Sequence, residues 1–196
     1  MLAQQFPEKK GVDYSKIQIT PEGEYSMTKR NDGQKILQKI VGLVGDTKTL
    51  HLTDLTGNVG ADTILFGLNF KTVDSIEYEQ SNFDALKNNV QVFKLKNVFL
   101  HFGDSTKLYN WHTDVLYLDP PWGGTDYKSK QNIDLYLGTR RVDLFLKKIL
   151  KQPWKPSYIF LKLPRNYNFE RLETLPVLQG HKFAIRGYFL VGLVTQ

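Results

Sequence analysis

Leu50-His51-Leu52-Thr53-Asp54-Leu55-Thr56-Gly57-Asn58-Val59-Gly60-Ala61-Asp62-Thr63 sets the reading of the whole chain. Residues 50–55 are a short apolar run that predicts a strand ending at a glycine-bearing turn. Residues 60–70 follow as a helix with Ile64, Leu65 and Leu68 on one side. Upstream, residues 27–44 predict a helix carrying Ile36, Leu37, Ile40, Val41 and Val44, capped by Thr28 or Asn31 and stopped at Gly45-Asp46. Downstream, a strand at 72–78 precedes a helix at 80–93 with Phe83, Leu86, Val90 and Phe93 on one stripe. Further strands are predicted at 98–102, 115–118 and 158–163, with a helix at 142–150 before the last of these. Alternation with short connections requires right-handed crossovers, hence an open α/β sandwich with a mostly parallel sheet and helices on both faces. The closing runs, 183–185 and 188–194, are separated only by Arg186-Gly187 and must form a hairpin, so one edge strand is antiparallel. In such sheets ligands bind beyond the carboxyl ends of the strands.

Composition bounds what such a fold could do. The 196 residues carry 26 Lys and Arg against 20 Asp and Glu, a net charge of +6, with 41% hydrophobic residues, a globular balance. One domain is expected over residues 17–196, preceded by a flexible arm over 1–16. Cysteine is absent, which excludes disulfides, a thiol nucleophile and thiolate metal sites. Four scattered histidines make no metal-ligating pattern, so no metal is expected. No apolar run is long enough to span a membrane and the N-terminus lacks a signal-peptide core, so a soluble intracellular protein of nucleus or cytoplasm is expected, without membrane partners. The positive balance favours a polyanionic partner such as nucleic acid. Oligomeric state is left open, and a monomer suffices.

The strand ends contain the candidate chemistry. Gly57, Gly60 and Ala61 let backbone approach a ligand, and Asn58 is the non-glycine residue best suited to a left-handed conformation. The spacing is not the G-x-G-x-x-G fingerprint of dinucleotide binding. Glu77 lies 20 residues beyond Gly57, where a carboxylate can accept both hydroxyl protons of a ribose. Asp104, followed by Ser105, ends the third strand and can accept from an exocyclic amine. Acidic tips at Asp54, Glu77 and Asp104 suit a neutral or cationic adenosyl ligand and repel a pyrophosphate. The fourth strand ends in Asp119-Pro120-Pro121-Trp122-Gly123-Gly124-Thr125-Asp126-Tyr127. Two prolines fix φ and remove two N–H donors, leaving rigid acceptors beside an indole face, which suits a planar base bearing an amino group.

In this order, these segments resemble S-adenosylmethionine-dependent methyltransferases, and more narrowly the trimethylguanosine synthase family of RNA cap guanine-N2 methyltransferases. The P-P-W-G-G-x-D-Y segment, from Pro120 to Tyr127, is the most specific part. Pro21-Glu22-Gly23-Glu24-Tyr25-Ser26-Met27-Thr28 is similar to the family's E-G-W-F-S-V-T run, and Leu163-Pro164-Arg165-Asn166 to its L-P-R-N. Asp119, Asn58 and Tyr25 stand where animal members usually have Ser, Gly and Trp. The resemblance implies a Rossmann-like class I fold with a seven-stranded sheet, and transfer of methyl from S-adenosylmethionine to N2 of 7-methylguanosine in RNA caps, forming di- or trimethylguanosine. It implies that Thr28, Asp54, Thr56, Gly57, Asn58, Gly60, Glu77, Asp104, Ser105 and Asp119 hold the cofactor. Asp119, Pro120, Pro121 and Trp122 would do the chemistry, while Trp122, Tyr127, Arg165 and Asn166 would bind capped RNA. Trp122 would stack on the methylated base and Arg165 would hold cap phosphates.

Other readings stay open on the residues alone. Asp before P-P-W also suits N6-adenine methyltransferases, and guanine-N2 methyltransferases of ribosomal or transfer RNA share the chemistry. A cap-binding subunit without activity is a further alternative. A nicotinamide oxidoreductase is disfavoured by the glycine spacing and the acidic lining.

Overall fold

A computed structural model describes residues 2–195. The chain divides into two compact units, residues 1–103 and 104–196.

The first unit begins with 3-10 turns at Leu2–Gln5 and Tyr14–Lys16, then α1 (Pro21–Ser26) and α2 (Arg30–Val44). Thr20 caps α1 by accepting from Gly23 N, with Pro21 in the first turn, where its missing N–H costs nothing. The residue before α2 is Lys29, whose side chain makes no cap, so neither Thr28 nor Asn31 caps this helix as expected. Thr28 instead donates to Asp62 Oδ2 at 2.6 Å. A 3-10 turn (Thr47–Thr49) leads to β1 (His51–Asp54), α3 (Ala61–Asn69), β2 (Thr72–Glu77), α4 (Gln80–Val92) and β3 (Val98–Phe102). The strands lie in the order β3-β2-β1, all parallel, with Asp54 opposite Ser75 and Glu77 opposite Phe102. Parallel pairing aligns the carboxyl ends, so Asp54 and Glu77 come out at the same end of their strands. Helices α3 and α4 pack on these strands. Phe6, expected in the arm, is fully buried in a cluster with Met27, Val59, Ile64, Leu86 and Phe93. Burying one such ring stabilises the fold by about 1.5–3 kcal/mol.

The second unit runs α5 (Ser105–Leu108), β4 (Val115–Leu118), a 3-10 turn (Thr125–Ser129), β5 (Tyr136–Leu137), β6 (Arg140–Arg141), α6 (Val142–Ile149), β7 (Tyr158–Pro164), α7 (Glu170–Glu173), β8 (Gln179–Ile185) and β9 (Tyr188–Val194). Asp104 caps α5, a helix too short for its own hydrophobic period to be read. β4 and β7 are parallel, with Leu118 opposite Leu161. The closing hairpin supplies the antiparallel margin: β9 pairs antiparallel with β7 on one side and with β8 on the other. β5 and β6 form a small separate ribbon that the sequence did not suggest, because two-residue strands carry no alternation. The main strands thus number seven, mostly parallel, among the described residues, the Rossmann-like complement expected. No helix among the described residues is long and apolar enough to cross a membrane.

Candidate functional site

In the first unit the turn after β1 is held by the carboxylates expected to serve a ligand. Asp54 is fully buried. Its Oδ1 accepts from Thr56 N at 3.0 Å and its Oδ2 from Thr63 Oγ1 at 2.7 Å. Thr63 Oγ1 in turn meets Ser75 Oγ at 2.8 Å, locking α3 to β2. Gly57 donates to Ile76 O at 2.9 Å. A Cβ added to Gly57 would stand 2.5 Å from Ser75 Oγ and 2.9 Å from Leu86 Cδ2, so the turn accepts no larger residue there. Asn58 takes φ +47°, the left-handed conformation expected of it, and its Oδ1 accepts from Val59 N at 2.8 Å. Gly60, also left-handed at φ +97°, starts α3.

Glu77 is 7% exposed and reaches back to this turn. Its Oε2 accepts from Asn58 N at 2.7 Å; its Oε1 accepts from Tyr78 N at 2.9 Å and Glu79 N at 2.8 Å. Three backbone donors on about four lone-pair positions leave room for one further donor in this conformation. Burial pushes the Glu77 carboxyl above its ordinary range; the three N–H groups oppose this, and nearby Glu22 adds to it. Tyr78 is 56% exposed. Its phenol is likewise raised, first by partial burial and then by Glu79, Glu22 and Glu77. Three carboxylates gathered around one exposed aromatic ring make a site of negative potential. Together with a turn closed to side chains, that set of acceptors fits a cationic adenosyl ligand with ribose hydroxyls, and it opposes a phosphate. Glu22, Tyr78 and Glu79 were not singled out from the sequence; the run Glu77-Tyr78-Glu79 was the signal available for two of them. Thr28 lines a cavity of about 310 Å³ whose walls include Asp62 and Leu65 but neither residues 57–60 nor Glu77.

In the second unit, Asp104 is committed locally. Its Oδ1 accepts from Thr106 N at 2.9 Å and Thr106 Oγ1 at 2.7 Å, and Lys107 lies 3.3 Å from Oδ2. Desolvation raises this carboxyl, yet Thr106 and Lys107 hold it below its ordinary value. Ser105 is buried in the first turn of α5. The segment after β4 is in neither helix nor strand, with Pro120 buried, Pro121 exposed and Trp122 half-buried. Trp122 meets Tyr127 edge-on at 5.2 Å between centroids and tilts against Tyr188 at 6.0 Å. Its Nε1–H has no hydrogen-bond partner among the described residues. Asp119 Oδ2 lies 2.6 Å from Lys162 Nζ. Lys162 was missed from the sequence, although a single charge inside the apolar run Ile159-Phe160-Leu161-Lys162-Leu163 was the clue.

The L-P-R-N residues behave differently from one another. Asn166 Nδ2 donates to Tyr127 O at 2.6 Å and Lys130 O at 2.7 Å, so its side chain clamps the loop after the indole. Arg165 is exposed, its guanidinium 5.4 Å from the Phe189 ring centroid. Of the basic residues after the ledge, Arg141 is bound to Asp143 at 2.5 Å and faces Asp134 at 3.8 Å. Arg140 and Lys128 are exposed. Among the described residues no group of three or more His, Cys, Asp or Glu side chains is gathered to hold a metal ion.

Comparison with known proteins places these elements. A T. thermophilus 16S rRNA N2 methyltransferase, solved with AdoMet and guanosine, superposes with a TM-score of 0.68 at 13% identity, over 88% of this chain and 45% of that one. A precorrin-6y C5,15-methyltransferase from Geobacter metallireducens gives 0.67 at 11% identity, over 95% and 97%. At such identities the likeness is one of fold. An uncharacterized protein of Acanthamoeba polyphaga mimivirus is 32% identical over 127 residues, 63% of this chain and 49% of its own length. The chain thus spans about half the length of that relative. The family model for RNA cap guanine-N2 methyltransferases matches residues 49–187, from the start of β1 to the turn of the closing hairpin. With the folded turn, the acidic strand tips and the proline-locked ledge all inside that span, the chain belongs to the RNA cap guanine-N2 methyltransferase family.

Proposed function

We propose that this chain transfers a methyl group from S-adenosylmethionine to the exocyclic N2 of 7-methylguanosine in RNA caps. The observation that carries the reading is the ledge: the Asp119-Pro120-Pro121 segment after β4, ending in a half-buried indole that meets Tyr127 edge-on and tilts against Tyr188. Family membership over residues 49–187 supports the same acceptor atom.

S-adenosylmethionine supplies an electrophilic methyl carbon on a sulfonium, whose departure needs no protonation. In the first unit, residues 57–60 and Glu77 would hold its adenosyl portion, with Glu22 and Glu79 adding negative potential and Asp54 bracing the turn. In the second unit, Trp122 stacks on the base; a cationic 7-methylguanine gains about 0.5–2 kcal/mol from the indole face. Asp119 and the Pro120 carbonyl accept the N–H protons of the exocyclic amine, whose lone pair is otherwise delocalised into the ring. That holds the nitrogen in an attacking orientation and stabilises the positive charge that develops on it. Arg165 takes cap phosphate as a bidentate fork. Tyr127 contributes an edge to the base site, and Asn166 supports it through the loop.

The test is incubation of 7-methylguanosine-capped RNA with S-adenosylmethionine, followed by digestion and mass spectrometry of the cap nucleoside. Gain of one or two methyl groups on N2 is expected. Methylation of adenine alone, or of internal guanines with the cap untouched, would replace this reading with one of the other amino-group methyltransferases.

A further inference from the structure

β7 is buried along nearly its whole length, and Lys162 sits in the middle of it at 6% exposure. An ammonium in such a place loses hydration worth several kcal/mol unless an anion stands against it. The anion is Asp119, 2.6 Å away, on the rung that follows the Leu118–Leu161 pair of the β4–β7 ladder. The pair is lopsided: the lysine side chain is 7% exposed and the aspartate side chain 17%, so the amine is the inner member and the carboxylate the outer. Lys162 Nζ also lies 5.6 Å from the Trp122 centroid and 5.3 Å from that of Tyr188. One ammonium therefore touches the acid, the indole and the tyrosine that backs the indole.

We propose that Lys162 is the positioning residue of the acceptor site, holding the Asp119 carboxylate ionised and in one rotamer for the acceptor amine. This rests on the role given to Asp119 above. Tied to Lys162 through Oδ2, the carboxylate stays an acceptor beside the indole. The proton inventory closes on the same residue. As the amine nitrogen bonds to the methyl carbon, the carbon–sulfur bond breaks with its electron pair going to sulfur. The nitrogen then sheds one proton, which Asp119 takes up and passes to water. The methylated nitrogen is strongly acidic at that moment, so a carboxylate weakened as a base by a neighbouring ammonium suffices.

The experiment compares wild type, Lys162→Met, Lys162→Arg, Asp119→Asn and the double variant Asp119→Asn with Lys162→Met. Each is assayed for kcat and KM on 7-methylguanosine-capped RNA, with cofactor affinity by calorimetry and folding by thermal melting. Lys162→Met is expected to lower kcat by roughly 30–100-fold, while KM and cofactor affinity move less than about threefold, because a misplaced acceptor group acts on the chemical step. Lys162→Arg keeps the charge and should recover to within about fivefold of wild type. The double variant should be no slower than Asp119→Asn alone, since the lysine acts only through the acid. If Lys162→Met does not fold, the double variant, which removes both charges together, carries the comparison with Asp119→Asn. A folded Lys162→Met with wild-type kcat, or a double variant slower than Asp119→Asn by the full lysine effect, overturns the proposal. A wild type inactive on capped RNA overturns the cap reading instead. The same series is then read on uncapped RNA, where the lysine effect on kcat is expected unchanged; inactivity on both RNAs rejects the two together.

Discussion

Asp54 and Glu77 of the first unit and Asp119 of the second are held in different ways. In the first unit Asp54 and Glu77 accept mainly from backbone N–H groups and a neighbouring threonine, so each is part of the turn it supports. In the second unit Asp119 is met from the neighbouring strand by the side chain of Lys162. The difference separates fold from chemistry. A change at Asp54 or Glu77 leaves backbone donors without acceptors and loosens the turn along with any ligand it holds. On the reading proposed here, a change at Lys162 acts through a side-chain ion pair and so on the groups that would meet the acceptor. Class I methyl transfer asks for both, a donor cradle that does not rearrange and an acceptor clamp that can be tuned.

The sharpest way to break this contrast is at the indole. Trp122→Ala is expected to lower methyl transfer at least about 100-fold through lost stacking and orientation, with S-adenosylmethionine affinity by calorimetry unchanged. Normal turnover would remove Trp122 from the acceptor site. Next in size, Glu77→Ala should weaken cofactor binding by about 10–100-fold and also lower the melting temperature, because three backbone donors lose their acceptor. Loss of affinity with no loss of stability would show that the turn stands without Glu77. Asn166→Ala releases two carbonyls of the loop after Trp122 and should raise KM for capped RNA by about three- to tenfold, at about 0.5–1.5 kcal/mol per lost hydrogen bond. Limited proteolysis should cut that loop faster, and an unchanged digestion pattern would argue against the clamp.

The smallest effect lies away from both sites. Asp74 bridges His51 and His101 at 2.6 and 2.5 Å. Burial raises its carboxyl, but the two imidazoles outweigh that and hold it below the ordinary carboxylate range. A depressed carboxyl contributes stability above its unfolded value and loses it as pH falls through the folded one. Asp74→Asn should therefore cost about 1 kcal/mol in denaturant melts at neutral pH, with the gap to wild type closing in acid as the pH falls through the lowered folded-state value of the carboxyl. A gap that persists in acid would mean that the contact is one of shape and not of charge.

How far these features could be read in advance follows from how local their signals are. The strand–turn–helix of residues 50–70 was legible because apolar spacing, two glycines and a left-handed asparagine all sit within one window. The ledge was legible because consecutive prolines dictate their own backbone. The helix cap made by Asp104 and the loop clamp made by Asn166 were not, since residue type alone does not tell which backbone groups stand beside it. Lys162 pairs with a residue 43 positions away, and only the parallel register of β4 and β7 brings them together. Glu22 depends likewise on a short helix whose approach to Glu77 no periodicity reports.

The buried ring near the start of the chain has a practical consequence. Phe6 shares its apolar cluster with Val59, a member of the turn between Gly57 and Gly60, and its carbonyl accepts from Arg30 Nε at 2.7 Å. Trimming the first several residues, or tugging on them with a fused reporter, would slacken the floor on which that turn rests. If residues 57–60 hold the methyl donor as proposed, the symptom would be a preparation that still elutes as a folded protein yet binds that donor more weakly.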